Sequence, residues 1–320
     1  MQQRLNGVIM GAYEIVNQYK GDIMIRKRLN SIGMNLLLYI LITFLFMEHS
    51  YHLPAAISQD DGAVCLLAYG LGGLCLYAFV RITGQRPESA EPGLFKDRQS
   101  MRPFIFLGII CIAICVQYIS AGIDYVLESG LNAIGYSAKD SMEEASSDSD
   151  TIMMFIYSGL GAPIIEELIY RGYVLRNLLS YGKIPAIIVS SLLFGVMHEN
   201  IPQAIFAFLL GLVLGYVATE YSVKWAIMLH MFNNMIYGDL FYRFAQLFSE
   251  DAQSIIYTIT DGALIIGAVL TLILARKRLA AFFRGAHGEK GFAKEVLLSV
   301  YIMLFIAAEL FVGVMAFTKI

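Results

Sequence analysis

The chain has 320 residues, of which 58% are hydrophobic and only 15% charged, and its mean hydropathy is +0.63. Soluble domains hold ~45–50% apolar and ~25% charged residues, so the excess apolar surface must face lipid and a soluble enzyme is excluded. The net charge of −3, with Lys and Arg in short clusters at helix ends, gives no polyanion site and no nucleic-acid partner.

Residues 1–30 form a polar, basic lead-in that lacks the short apolar core and cleavage site of a signal peptide. Leu5, Ile9, Tyr13 and Val16 make a modest helical stripe, which suits either an amphipathic helix on the membrane surface or a short helix packed on the bundle. A membrane span needs ~20 apolar residues. Nine stretches qualify as candidates, near 31–47, 63–82, 103–126, 152–177, 184–198, 202–219, 224–247, 255–275 and 296–317. The expectation is an all-α, polytopic transmembrane bundle of eight or nine spans. It divides into a lead-in (1–30), an N-terminal three-helix part (31–150), a core (151–247) and a C-terminal two-helix part (248–320).

Orientation follows from the bias in Lys and Arg. Arg26, Lys27 and Arg28 precede the first span, and the loop 48–62 has no Lys or Arg. Arg86, Lys96, Arg98 and Arg102 follow the second span. The loop 127–151 is acidic, with Glu143, Glu144, Asp148 and Asp150 against Lys139. The connection 276–294 is basic again, with Arg276, Lys277, Arg278, Arg284, Lys290 and Lys294. This alternation predicts a cytoplasmic N-terminus.

Cys65, Cys75, Cys111 and Cys115 all fall in apolar stretches without CxxC spacing, so they read as small core residues and imply no disulfide framework. Cys111 and Cys115 share a helix face, which gives a metal site little support.

Ionisable groups at membrane depth are costly and by default suggest function. Glu167 and Arg171 are four apart on one helix face and can pair. Glu166 is turned about 100° away and has no such local partner. Pro163, with Gly159 and Gly161 nearby, can kink that helix. Phe194 and His198 are four apart in the fifth span, and His230 and Asn234 are four apart in the seventh. Taken singly, these are an ion pair, an interfacial histidine and interhelical hydrogen-bond glue. Taken together, two histidines and an unpaired glutamate suffice for acid–base chemistry on water. A His/Asn pair aimed at one point can hold an oxyanion.

This ordered set resembles the signature of the CAAX prenyl protease and bacteriocin-processing (CPBP, Abi) family over about residues 155–240. Arg171, Gly172 and Tyr173 close the first motif, and Phe208 to Gly215 precedes the third. The resemblance implies an intramembrane glutamic endopeptidase with a conical active-site cavity. Glu166 and His198 would activate water, and His230 and Asn234 would stabilise the oxyanion. Glu167 and Arg171 would hold the helix, with Phe194 in support. The residues alone leave open which histidine is base and which is donor. The substrate would be a peptide or protein at the membrane of a bacterial cell. No cofactor is implied, and without an HExxH a catalytic zinc has little support. The alternatives are a non-catalytic membrane scaffold of the bacteriocin-immunity type and a transporter.

One tension stands in this reading. The expected boundaries put His198 at the outer end of its helix and His230 two turns in from the cytoplasmic side. Upright helices would then separate their depths by more than ~10 Å. Outside the motifs, Asp261 beside Thr258 and Thr260 reads as locally hydrogen-bonded, Glu309 as protonated or paired across helices, and Asp239–Arg243 as a local ion pair.

Overall fold

The computed structural model describes residues 2–85, 93–146 and 151–320, with side chains from residue 21 onward except 142 and 144–146. The Leu5, Ile9, Tyr13 and Val16 stripe lies outside the described side chains, as does Glu144, and Arg86, Asp148 and Asp150 lie outside the described residues.

Several helices begin where the sequence supplies a cap or a proline. The first, α1, runs without a break over Gln2–Glu48, so the lead-in and the first expected span share one helix. Asp60 caps α2 (Asp61–Ile82) by accepting from the Ala63 amide at 3.1 Å. Pro103 opens α3 (Pro103–Ala133), where its missing N–H costs nothing. A short helix, α4 (Lys139–Ser146), follows. Thr151 caps α5 (Ile152–Tyr181) at the Met154 amide, and its hydroxyl also reaches Asp60 at 3.2 Å. The starts of α2 and α5 therefore lie side by side. After α6 (Lys183–Val196), Asn200 caps α7 (Ile201–Glu220) at the Gln203 amide. Then α8 (Val223–Met231) passes into a π-helical stretch, Phe232–Phe241, and a last α turn, Tyr242–Ala245. The chain ends with α9 (Glu250–Gly285), α10 (Phe292–Leu297) and α11 (Val300–Met315). Two short strands, β1 (Tyr136–Ser137) and β2 (Thr318–Lys319), pair antiparallel.

Among the described residues, six helices are long and apolar enough to cross a membrane: Gly21–Glu48 within α1, then α2, α3, α5, α7 and α9. The chain is thus an all-helical, multi-pass integral membrane protein. The expected count of eight or nine is not reached on length and composition. α6 and α11 are apolar but have only 14 and 16 residues, and the seventh expected span is divided between α8 and its π-helical continuation.

The core is assembled from facing stripes. Ile25, Leu29, Ile32 and Leu36 recur at helical spacing on α1 and are almost wholly buried. α1 packs on α2 and α11, α7 packs on α6, α3 and α8, and α9 lies against α3. Polar side chains join the C-terminal helices to α1. Arg26 pairs with the buried Glu295 at 2.7 Å, and Asn30 accepts from the Ser299 hydroxyl and the Tyr301 amide at the start of α11. Cys111 touches α9 where Gly267 leaves room for its sulfur. The α6–α7 hairpin is tight because Gly195 faces the Ala204 carbonyl; a Cβ there would lie 2.7 Å from that oxygen.

Candidate active site

The site forms where α5, α6 and α8 meet, and irregular helix flanks it on α5 and α8. In α5 a π-helical stretch, Tyr157–Gly161, leads into one α turn, Ala162–Glu167, and a second π-helical stretch, Leu168–Leu175, follows. Pro163 lacks an N–H and falls in the first turn after the wider segment, which accommodates the missing bond. π-helical turns are uncommon and concentrate at functional sites. Here they bracket Glu166 and Glu167, and a third one begins two residues after His230.

Glu167 and Arg171 are completely buried and pair at 2.7 Å, as their spacing predicts. The guanidinium also donates to the Gly211 carbonyl of α7 at 3.2 Å and stacks over the Phe194 ring at 4.3 Å. Position 211 is tight, because a Cβ would lie 3.1 Å from that guanidinium nitrogen and 3.0 Å from the Ser191 Cβ, so either neighbour would have to give way.

His230 is held between the two carboxylates. Its Nδ1 lies 3.1 Å from Glu167 Oε1, and its Nε2 lies 3.8 Å from Glu166 Oε2. The second distance is an ion-pair separation, longer than a direct hydrogen bond. Glu166 lacks a partner on its own helix, as expected, but the structure supplies one from α8. Glu167 binds His230 as well as Arg171, so its role reaches beyond holding α5.

His198 shares this site. Its Nδ1 lies 2.9 Å from the Phe194 carbonyl and 3.3 Å from that of Gly195. A carbonyl only accepts, so Nδ1 carries the proton and Nε2 presents a lone pair. The Phe194 ring meets both imidazoles edge-on, His198 at 5.0 Å and His230 at 5.7 Å, and Tyr170 at 5.5 Å. The two histidines are therefore neighbours around one ring, and the tension over their depths is resolved. With 14 residues, α6 rises only about 21 Å before it turns at His198.

Asn234 lies one turn after His230, but its bonds run elsewhere. It donates to the Ser158 carbonyl in the first π-helical stretch of α5 at 3.2 Å and accepts from Asn233 at 3.1 Å. Gln117 of α3 donates to Asn233 in turn, at 3.5 Å. Its orientation is fixed, and one of its two N–H groups remains. Three aromatic residues outside the motifs, Tyr39, Tyr69 and Tyr157, lie within electrostatic reach of Glu166. Their rings form a chain, at 6.3 Å from Tyr39 to Tyr69 and 5.6 Å from Tyr69 to Tyr157. Tyrosines in apolar helices give no sequence signal of such a role.

The residues outside the motifs are also placed. Asp261 accepts from Tyr237 at 3.5 Å across helices, rather than locally from Thr258 or Thr260. Asp239 and Arg243 pair at 2.5 Å. Glu309 is buried, and one of its carboxyl oxygens has no hydrogen-bond partner among the described residues. Among the described residues no group of three His, Cys, Asp or Glu is placed to hold a metal ion.

Residues 148–236 match the family model described as type II CAAX prenyl endopeptidase Rce1-like. No curated protein and no solved structure matches the chain. The matched segment contains Glu166, Glu167, Arg171, Phe194, His198, His230 and Asn234, and over it the chain is similar to the CAAX protease family.

Proposed function

We propose that the protein is an intramembrane endopeptidase that hydrolyses a peptide bond with a glutamate-activated water. The observation that carries this reading is the clasp of His230 between Glu166 and Glu167, with His198 on the same aromatic ring. Buried charge in an apolar bundle is expensive unless it is balanced. Glu166, Glu167, Arg171 and His230 balance when the imidazole carries its second proton, and Nε2–H is then a donor that faces Glu166. His198, bound only to carbonyls, keeps its Nε2 lone pair. This supports His198 with Glu166 on the water and His230 with Asn234 on the oxyanion.

In the reaction, water gives a proton to Glu166, with His198 in support, and its oxygen attacks the carbonyl carbon. The carbonyl oxygen becomes an oxyanion held by His230 Nε2–H and the remaining N–H of Asn234. When the tetrahedral species collapses, the C–N bond breaks and the departing nitrogen takes the proton back from Glu166. The site would sit in an intramembrane cavity with Glu166 at its floor, within the core 151–247. The N-terminus would be cytoplasmic by the basic-loop bias, and the membrane that of a bacterial cell. Substrates would be peptides or proteins presented from the bilayer.

Incubation of the purified chain in detergent with a peptide library tests this, with product masses as the readout. Cleavage by the wild type and none by Glu166→Gln supports the reading. Equal cleavage by both removes it.

A further inference from the structure

We infer that Gln117 of α3 is a positioning residue for Asn234, acting through Asn233 to keep an N–H of Asn234 turned towards the oxyanion. The inference rests on the protease reading. It extends the site to α3, outside the segment 148–236 that matches the family model.

The contacts start from a sequence feature of α5. An α-helical bond to the Ser158 carbonyl would come from residue 162, and a π-helical one from residue 163. The Ala162 amide bonds to the Tyr157 carbonyl instead, and residue 163 is a proline without an N–H. Neither serves the Ser158 carbonyl, and Asn234 of the π-helical continuation of α8 donates to it at 3.2 Å. A carbonyl only accepts, so the NH2 of Asn234 faces Ser158 and its Oδ1 faces the other way. There Asn233, which is buried, donates to Asn234 Oδ1 at 3.1 Å. The Oδ1 of Asn233 in turn accepts from Gln117 Nε2 at 3.5 Å. Three side-chain amides thus run head to tail from α3 to α5, each donating to the next.

Gln117 stands out in its helix. Residues 103–116 of α3 include no charged, hydroxyl or amide side chain. A polar side chain in such a helix turns to the bundle interior and to a partner, and α3 packs on the π-helical stretch that carries Asn233 and Asn234.

The direction of the chain is what matters to the reaction. Turned over, Asn234 would set Oδ1 against the Ser158 carbonyl and lose the donor that faces the oxyanion. Asn233 holds it the right way round only while its own Oδ1 has a donor, and Gln117 is that donor. Methionine at 117 keeps the shape of the side chain and donates nothing.

The test uses the full chain in detergent, with peptide kinetics and NMR of labelled asparagine side-chain amides, the Asn234 signal being assigned with Asn234→Ala. Gln117→Met is expected to lower kcat by about 10–100-fold, as a misplaced group does, with KM unchanged and the Asn234 signal displaced. Asn234→Ala should lower kcat by about 100–1000-fold, the cost of an oxyanion donor, and adding Gln117→Met to it should lower kcat no further. The inference is overturned if Gln117→Met keeps the wild-type kcat or leaves the Asn234 signal in place. It is overturned equally if Gln117→Met costs the same factor in the Asn234→Ala background, since it then acts elsewhere. Should Gln117→Met not fold, Gln117→Glu replaces it, because an ionised carboxylate of the same shape only accepts; the same loss and the same non-additivity are expected, and a wild-type kcat overturns the inference. If the wild type cleaves nothing, the protease reading fails. The Asn234 signal of the position-117 variant then still decides whether Gln117 positions that amide.

Discussion

Glu167 Oε1 lies 3.1 Å from His230 Nδ1 and 2.7 Å from the Arg171 guanidinium, so one carboxylate oxygen ties α5 to α8 and to its own next turn. The adjacent Glu166 is left facing His230 Nε2 without a direct hydrogen bond. Two consecutive glutamates thus have different surroundings, and their substitution should have different consequences.

Glu167→Gln removes one partner of a buried pair and leaves Arg171 uncompensated, which costs about 3–5 kcal/mol. Glu166→Gln leaves that pair intact and removes only the longer 3.8 Å contact with His230, so it should destabilise less than Glu167→Gln while abolishing cleavage. Thermal unfolding of the two variants in one detergent checks this. Equal melting temperatures would show that the Glu167–Arg171–His230 clasp carries no stability.

Phe194 is the surface on which Arg171, His198 and His230 are arranged. Phe194→Ala should destabilise the protein by about 3–5 kcal/mol, the usual cost of deleting a buried ring. Phe194→Tyr keeps the ring and should preserve most of the stability. Chemical denaturation followed by tryptophan fluorescence of Trp225 reads both.

Gly211→Ala places a methyl group against the Arg171 guanidinium and Ser191. Overpacking of this kind costs about 1–3 kcal/mol. The pair should stay formed while cleavage falls, and melting temperature together with peptide turnover measures the two effects.

Asp97 clasps the N-terminus of α8, the helix that carries His230. It accepts from the Ser222 hydroxyl at 2.8 Å, Trp225 Nε1 at 3.1 Å and Lys224 Nζ at 3.2 Å. Burial raises its carboxyl, but these hydrogen bonds and the Lys224 charge outweigh that and hold it below the ordinary 3.8. A depressed carboxylate stabilises the fold above its unfolded value, and that contribution is lost as pH falls through the folded value. Wild type should therefore melt above Asp97→Asn at pH 5–7, and the gap should close below about pH 4. A gap independent of pH would contradict the clasp.

The buried pair on α5 was legible because its members sit at a fixed spacing. Glu167 and Arg171 four apart on a helix can scarcely avoid each other, and they pair as read. The link from Glu167 to His230 was not legible, since it depends on how three π-helical stretches turn the side chains, and no residue pattern announces those stretches. Hydropathy gave α6 nearly its observed bounds, but a window of apolar residues cannot show which side chains meet at the turn that carries His198. Nor does such a window separate nine apolar stretches from the six helices long enough to span.

The most direct measurement is turnover of a cleavable peptide by the purified full chain, compared with Glu166→Gln and His198→Ala of matched thermal stability. The account predicts cleavage by the wild type and a loss of at least about 100-fold, in kcat, for both variants. Cleavage that persists in both folded variants would contradict the assignment of the glutamate–histidine site.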